Sequence, residues 1–223
     1  MNRLFTAVLL VTSLLGGKAY AQTADIDTYA TWNPIQTIMA FGGGNFETWG
    51  QTFTVTSDSV LSSFSSYMGC YIGDTFHTRI YAWDGTKITG EALFSAPAQT
   101  APSYGSQPPA ILEYSYAPQI LLVPGDYVFF ATTSLNSSTT TGNCSLAKGN
   151  DVYAGRFVYL NHTDGLDFSE LSSNAWSSMT DDLAFKMSFQ APPPPPPVPV
   201  LPLFSLLSLG GLLALLGLRK IKA

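Results

Sequence analysis

Charge is what this sequence has least of. Only 11% of its 223 residues are charged, against about 25% in an ordinary soluble domain. A disordered chain needs low hydrophobicity and high charge, and a 46% hydrophobic content excludes that class. Basic residues are scarcest where a folded domain would lie. Between residues 22 and 190 there are five, Arg79, Lys87, Lys148, Arg156 and Lys186, against all fifteen acids, a net −10 where the whole chain carries −5. That balance argues against a nucleic-acid partner, which requires a basic face.

Catalytic signatures are as sparse. His77 and His162 are the only histidines. No His-Glu-x-x-His pattern occurs, and a histidine-based zinc site needs three or four ligands. Gly-x-Ser-x-Gly is missing. So is the Gly-Lys-Ser/Thr that would make Gly42-Gly43-Gly44 a phosphate loop. The cysteines are Cys70 and Cys144, with no Cys-His motif to activate either one. Two readings of them stay open. They form a disulfide closing a loop of about 75 residues, stabilising by roughly 4 kcal/mol on the chain-entropy model, or they are two buried thiols. An exported chain would favour the disulfide.

Long hydrophobic runs are confined to the two ends. Arg3, the apolar stretch Leu4 to Leu15 and the small-x-small triplet Ala19-Tyr20-Ala21 read as a signal peptide over residues 1–21. Signal peptidase would leave Gln22 as the first mature residue. Residues 22–190 form the expected extracytoplasmic domain, and 191–202 a proline-rich spacer and motif. Six consecutive prolines, 192–197, have fixed φ and no N–H to donate, so they make a stiff rod. Val198 to Leu218 then runs for 21 residues without a charge. At about 1.5 Å per residue this crosses a hydrocarbon core of about 30 Å. The helix core is expected over 203–218. The tail 219–223, with Arg219, Lys220 and Lys222, is held on the cytoplasmic side by the positive-inside rule, and the domain faces outward.

The order of Pro-rich spacer, Val198-Pro199-Val200-Leu201-Pro202, apolar helix and Arg219-Lys220-Ile221-Lys222 resembles the tripartite sorting signals of the PEP-CTERM type, found on exported proteins of Gram-negative bacteria. No Glu follows Val-Pro, so the acidic position of the family motif is missing. The resemblance implies an exosortase-type transpeptidase as partner, removal of the helix, and release to the cell surface or extracellular matrix. Retention as a single-pass membrane anchor is the alternative.

Between the ends the hydrophobic period is two. Gln51 to Thr56 alternates, and Leu183, Phe185, Met187 and Phe189 share one face. Val60–Met68, His77–Trp83, Ile111–Tyr116, Asp126–Thr132 and Arg156–Leu160 are further strands. Asp84-Gly85 marks a hairpin, Pro124-Gly125 a type II turn, and Phe168 to Trp176 a short turn of helix. Gly42 to Gly44 and Asn136 to Thr141 are loops. Eight to ten short strands predict an all-β, jelly-roll-like β-sandwich. Gly50-Gln51-Thr52-Phe53, Tyr81 to Lys87, Val152-Tyr153-Ala154-Gly155, Phe157-Val158-Tyr159 and Asp182-Leu183-Ala184-Phe185 also resemble a recurrent domain on exported bacterial proteins with such tails. That resemblance implies a surface-exposed sandwich and carries over no catalytic residue.

Three ligand chemistries remain to be placed. Calcium takes several oxygens from loops. Asn161, Asp164, Asp167 and Glu170 fall within ten residues around Gly165, with Asp181-Asp182 further on, although the EF-hand spacing fails. Polysaccharide would stack on aromatic rings and bond to nearby carboxylates and amides. Trp32, Trp49 and Trp176 are the candidates, with Tyr104 and Tyr114 to Tyr116 as additions, while Trp83 before the hairpin reads as packing. Glycoside hydrolysis needs two carboxylates about 5–9.5 Å apart across a cleft. Glu47, Asp84, Glu91, Glu113, Asp167 and Glu170 are available, with nothing in the sequence to pair them. The expectation is a non-enzymatic surface or matrix protein, with glycan binding as its sharpest form and a secreted polysaccharide hydrolase as the alternative.

Overall fold

The computed structural model describes residues 23–34, 36–41, 46–70, 75–100, 111–135, 144–161, 168–194 and 196. The expected signal peptide, the motif 198–202, the helix 203–218 and the basic tail lie outside the described residues. So do Tyr104, His162, Asp164, Asp167 and the two expected loops. Among the described residues no helix is long and apolar enough to cross a membrane. The chain divides into two compact units, Met1–Pro192 and Pro193–Ala223, and the fold below is that of the first.

The strands are β1 (Ile26–Asp27), β2 (Thr37–Phe41), β3 (Phe46–Val55), β4 (Ser59–Cys70), β5 (Thr75–Trp83), β6 (Ile88–Ser95) and β7 (Gln99–Thr100). They continue with β8 (Leu112–Tyr116), β9 (Ile120–Leu122), β10 (Gly125–Thr132), β11 (Cys144–Ala147), β12 (Phe157–Asn161), β13 (Ser177–Met179) and β14 (Phe185–Gln190). One short helix, α1 (Glu170–Ser173), precedes β13. The strands form two seven-stranded antiparallel sheets. Sheet I runs β1-β14-β4-β11-β2, with β8 and β9 also on β4; sheet II runs β13-β12-β3-β10-β5-β6, with β7 on β5. The all-β sandwich read from the alternation is what the chain forms.

Alternation explains the layer between the sheets. On β14, Phe185, Met187 and Phe189 are buried while Lys186 and Ser188 lie half-exposed on the opposite face. Phe129 of sheet II meets Phe64 and Phe185 of sheet I at 5.7 and 5.3 Å between ring centroids, and Phe53 meets Phe189 at 6.4 Å. Each such phenylalanine contributes about 1.5–3 kcal/mol by leaving water. β3 and β10 approach closely at Gly50, where a Cβ would lie 2.5 Å from the Phe129 carbonyl oxygen. No larger residue fits there.

Sheet II has a second buried layer on its outer side. Tyr81, Ile88, Val128, Phe130, Val158, Leu160, Leu171 and Trp176 form it. Residues 168–176 lie over the sheet and supply its lid. Trp176 donates its indole N–H to the Leu171 carbonyl at 2.9 Å, and its backbone N–H to the Thr86 carbonyl at 2.8 Å. The short helical turn expected between Phe168 and Trp176 is therefore present, and it closes this layer.

The Asp84-Gly85 hairpin forms as expected, with Gly85 at φ 98°. The Asp84 carboxylate accepts from the Thr86 N–H and hydroxyl and from the Lys87 N–H, at 2.8, 2.7 and 2.9 Å. These bonds, the Thr86 hydroxyl's first, hold its pKa below the usual carboxylate range. The type II turn expected at Pro124-Gly125 does not form. Such a turn needs positive φ at its third residue, and Gly125 instead opens β10, paired with Val55. The corner is closed by the Tyr127 hydroxyl, which donates to the Val123 carbonyl at 2.8 Å.

β8 and β9 are one edge strand interrupted at residues 117–119. Gln119 adopts φ 53° and donates its side-chain amide to the Ser62 carbonyl at 2.8 Å, replacing the lost ladder bond. Pro118 has no N–H to offer there, which suits an edge and resists pairing with another chain.

The first and last described segments of the sandwich lie side by side. Ile26 pairs with Met187, and the Phe189 N–H donates to Asp25 Oδ1 at 2.7 Å. Thr23 is buried, and its N–H donates to the Ser59 hydroxyl at 2.8 Å, while Gln190 pairs with Val60. The first and last strands thus both end beside the start of β4.

Candidate binding site

The outer face of sheet I carries a row of cross-strand neighbours. Asp27 on β1 faces Lys186 on β14, Lys186 faces Ser65 on β4, and Ser65 faces Ser115 on β8. Tyr67, two residues along β4, faces Glu113. Ser63, Glu113 and Ser115 are exposed.

Thr28 sets the next part of the site. Its hydroxyl donates to the Leu183 carbonyl at 2.8 Å and accepts from the Phe185 N–H at 2.8 Å, docking the chain against β14. A single 3-10 turn, Tyr29–Thr31, follows. It swings Tyr29 and Trp32 over Tyr67. Trp32 stacks on Tyr67 with centroids 4.6 Å apart and planes 27° from parallel; Tyr29 lies 4.6 Å from Tyr67 on a 44° tilt. The Lys186 ammonium sits 4.6 Å from the Tyr29 ring centre, a cation–π contact, and 3.1 Å from Asp27. The result is a four-layer stack, Lys186–Tyr29–Tyr67–Trp32. The Trp32 indole N–H donates to the Gln36 carbonyl at 2.9 Å, which fixes the ring. The Tyr29 hydroxyl lies 2.8 Å from the Ser65 hydroxyl and donates to Glu113 Oε1 at 3.1 Å. Burial, reinforced by the Glu113 charge, pushes this phenol well above the usual tyrosine range, so it is a donor at any physiological pH.

On the other side of β1 lies a cleft of about 360 Å³ lined by residues 23–28, Thr54, Thr56, Val152 and Tyr153. Several of its polar groups are already engaged. Thr54 donates its hydroxyl to Asp126 at 2.7 Å and its N–H to the Tyr153 hydroxyl oxygen at 3.1 Å, and Asp25 is bonded to Phe189.

The other tryptophans expected at a sugar-stacking surface are elsewhere. Trp49 is 3% exposed and stacks on Phe157 at 5.0 Å; Trp176 is 8% exposed, 5.4 Å from Phe130. Rings with that exposure offer no face to a sugar, and both are removed from the candidate platform. The causes differ: Trp49 points into the layer between the sheets, and Trp176 belongs to the second layer on the outer side of sheet II. Trp83 meets Trp176 edge-on at 5.5 Å, a packing role as expected. Tyr114 and Tyr116 turn toward Phe76 and Phe64, and only Trp32 of the three candidates keeps a half-exposed ring. Tyr29, Tyr67 and Lys186 were not singled out by sequence reasoning. The usable signal was Tyr29 and Trp32 three residues apart, followed by Tyr67 on the polar face of a strand.

The carboxylates are distributed rather than paired. Glu113 accepts from Tyr29, Glu170 from the Asn174 amide at 3.2 Å, and Asp84 caps its hairpin. Glu91 lies exposed on β6 and Glu47 is buried on β3. Asp181 pairs with Lys148. Asp182, which the calcium reading brought near the 161–170 acids, is fully buried. Its Oδ1 accepts from the Gln51 amide at 2.9 Å, and its Oδ2 from the Val152 and Tyr153 N–H groups at 2.8 Å each. Gln51 in turn accepts from the Leu183 N–H at 3.0 Å. Burial raises the Asp182 pKa against the pull of those three donors. This carboxylate stitches two loops to β3; both its oxygens face N–H donors and none is turned toward a cation. Among the described residues no group of three or more His, Cys, Asp or Glu side chains comes together as a metal site. The register sets Cys144 directly opposite Cys70. No protein-family model, curated protein or solved structure matches this chain.

Proposed function

We propose that this is an exported, surface-directed display protein whose sandwich domain is non-catalytic. The observation that carries the reading is the common exit of the domain's two ends. Thr23 and Gln190 flank the start of β4, so a leader before Thr23 and a proline rod after Gln190 depart from one pole. A domain built this way stands off a membrane without its strands having to part. The −10 charge of residues 22–190 suits an outward, hydrated setting. The engagement of Asp27, Asp84, Glu113, Glu170, Asp181 and Asp182 in structural bonds favours display over hydrolysis.

The finer features belong to the same proposal. Consecutive strands alternate between the sheets from β2 to β5 and again from β9 to β12, which supports a jelly-roll-like arrangement. Directly opposed residues of an antiparallel pair lie about 4.5–5.5 Å apart at Cα, inside the disulfide range of about 4.4–6.8 Å. With no described cysteine free, a Cys70–Cys144 bond is the natural closure. The tail acts as a membrane handle, and an exosortase-type enzyme removes it at the Val198–Pro202 motif. The test is protease shaving of intact cells followed by mass spectrometry of the mature protein. The expected chain begins at Gln22, is digested without lysis, and lacks residues 203–223. Digestion only after lysis overturns display, and an intact C-terminus overturns processing while leaving a single-pass anchor.

A further inference from the structure

We infer that the Tyr29–Tyr67–Trp32 stack is a docking shelf for the pyranose rings of a polysaccharide without anionic groups. The inference rests on the display reading only in that the shelf must face a polymer outside the cell.

The chemistry is that of a sugar face. A pyranose presents a patch of C–H bonds on one side and hydroxyls around its rim, and it pairs with a fixed aromatic ring that has polar groups at its margin. Trp32 supplies such a ring. It ends the stack, is half-exposed, and has its indole N–H tied to Gln36. Held from behind by Tyr67, it loses little freedom when a ligand arrives. The margin supplies both hydrogen-bonding senses. Glu113 keeps acceptor capacity beyond its single bond from Tyr29, the exposed hydroxyls of Ser63 and Ser115 donate or accept, and Lys186 donates. All project from the same face, by the cross-strand pairing of Tyr67 with Glu113 and of Ser65 with Lys186 and Ser115.

Charge selects among polymers. A domain of net −10, with Glu113 and Asp27 beside the shelf and Lys186 already paired to Asp27, repels uronate or sulfate chains. Neutral hexose polymers meet no such barrier. Trp49 and Trp176 offer no competing site, since each lies in a core.

The test is native affinity electrophoresis of the full-length chain in mild detergent. Gels would contain hydroxyethyl cellulose, a soluble mixed-linkage β-glucan, a galactomannan or, as the anionic probe, alginate. Retardation by at least one neutral polymer and none by alginate is expected. Trp32→Ala should weaken it about tenfold, the range for losing one aromatic stacking partner. Trp32→Phe should recover part of the loss, and melting temperatures should show both variants folded. Absence of retardation by all three neutral polymers overturns the inference, as does unchanged binding by folded Trp32→Ala or preferential binding of alginate. A chain that is digested on intact cells yet ignores every polymer sinks the shelf and leaves display standing. A chain that binds a neutral polymer but is reached only after lysis does the reverse.

Discussion

The two sheets share one core and differ on their outer faces. Sheet II is roofed by residues 168–176, and β3 and β10 are buried on both sides. Sheet I presents Lys186, Ser63, Tyr67, Glu113 and Ser115 on its open side, with three aromatic rings stacked among them. The aromatic residues look equivalent in the sequence and have opposite fates in the fold. Where a covering segment lies over the sheet, tryptophan becomes core and contributes stability. On sheet I the Trp32 ring stays half-exposed and is available for recognition. A face whose side chains are exposed or half-exposed can change with little effect on the domain's stability.

Four outcomes would break or sharpen that contrast. Removing the roof's centre should have the largest effect. Trp176→Ala is expected to cost about 3–5 kcal/mol, as for other large-to-small changes in a core, read by urea denaturation; a loss under about 1 kcal/mol would mean the roof does not stabilise sheet II. Next is the buried Asp182 stitch. Asp182→Asn turns an amide N–H₂ toward groups that are themselves donors, and leaving a buried donor unpaired costs about 1–3 kcal/mol. Near wild-type stability would show that Gln51, Val152 and Tyr153 find other acceptors. Third is an alkaline limb from the inner side of sheet I. Burial pushes the Tyr116 phenol up to about 12, with its bond to Thr78 opposing. The folded chain therefore holds this proton when the unfolded chain has released it. Stability should fall as pH rises from the ordinary tyrosine value of about 10 toward 12, and Tyr116→Phe should flatten that limb of a melting-temperature profile. The smallest change is expected on the open face. Trp32→Ala should cost less than about 1 kcal/mol, in the range of a surface substitution; a loss equal to that of Trp176→Ala would erase the distinction between the faces.

Much of sheet I was legible. Leu183, Phe185, Met187 and Phe189 alternate because β14 has one wet side, and all four are buried. Sheet II was harder for the same reason in reverse. Gln51 to Thr56 alternates like a half-exposed strand, yet Gln51 is buried on the core face with Phe53, bonded to Asp182 and Leu183, and Thr52 is buried on the other face against Arg156. Alternation reports the polarity of side chains, not whether something else will lie on them. Trp176 was misplaced on this account, and Trp49 because it lies on the core face of β3. Asp182 was read only as one more acid near the calcium candidates, because its three partners come from two distant stretches, 51 and 152–153, which no local pattern brings together. Gly125 failed as a turn residue because β3 was available to pair with it at once. Trp32 was legible as a candidate, but its neighbours Tyr67 and Lys186 join it only through register.

The pairing of β1 with β14 also has a consequence in time. Ile26 and Asp27 find their partners only in Met187 and Lys186, and Thr28 is held by Leu183 and Phe185. A chain that emerges in the order of its residues must therefore wait for the last of the described strands before sheet I can close. Until then β1 has no strand to pair with. The closing event comes late, once residues 183–187 have joined the chain.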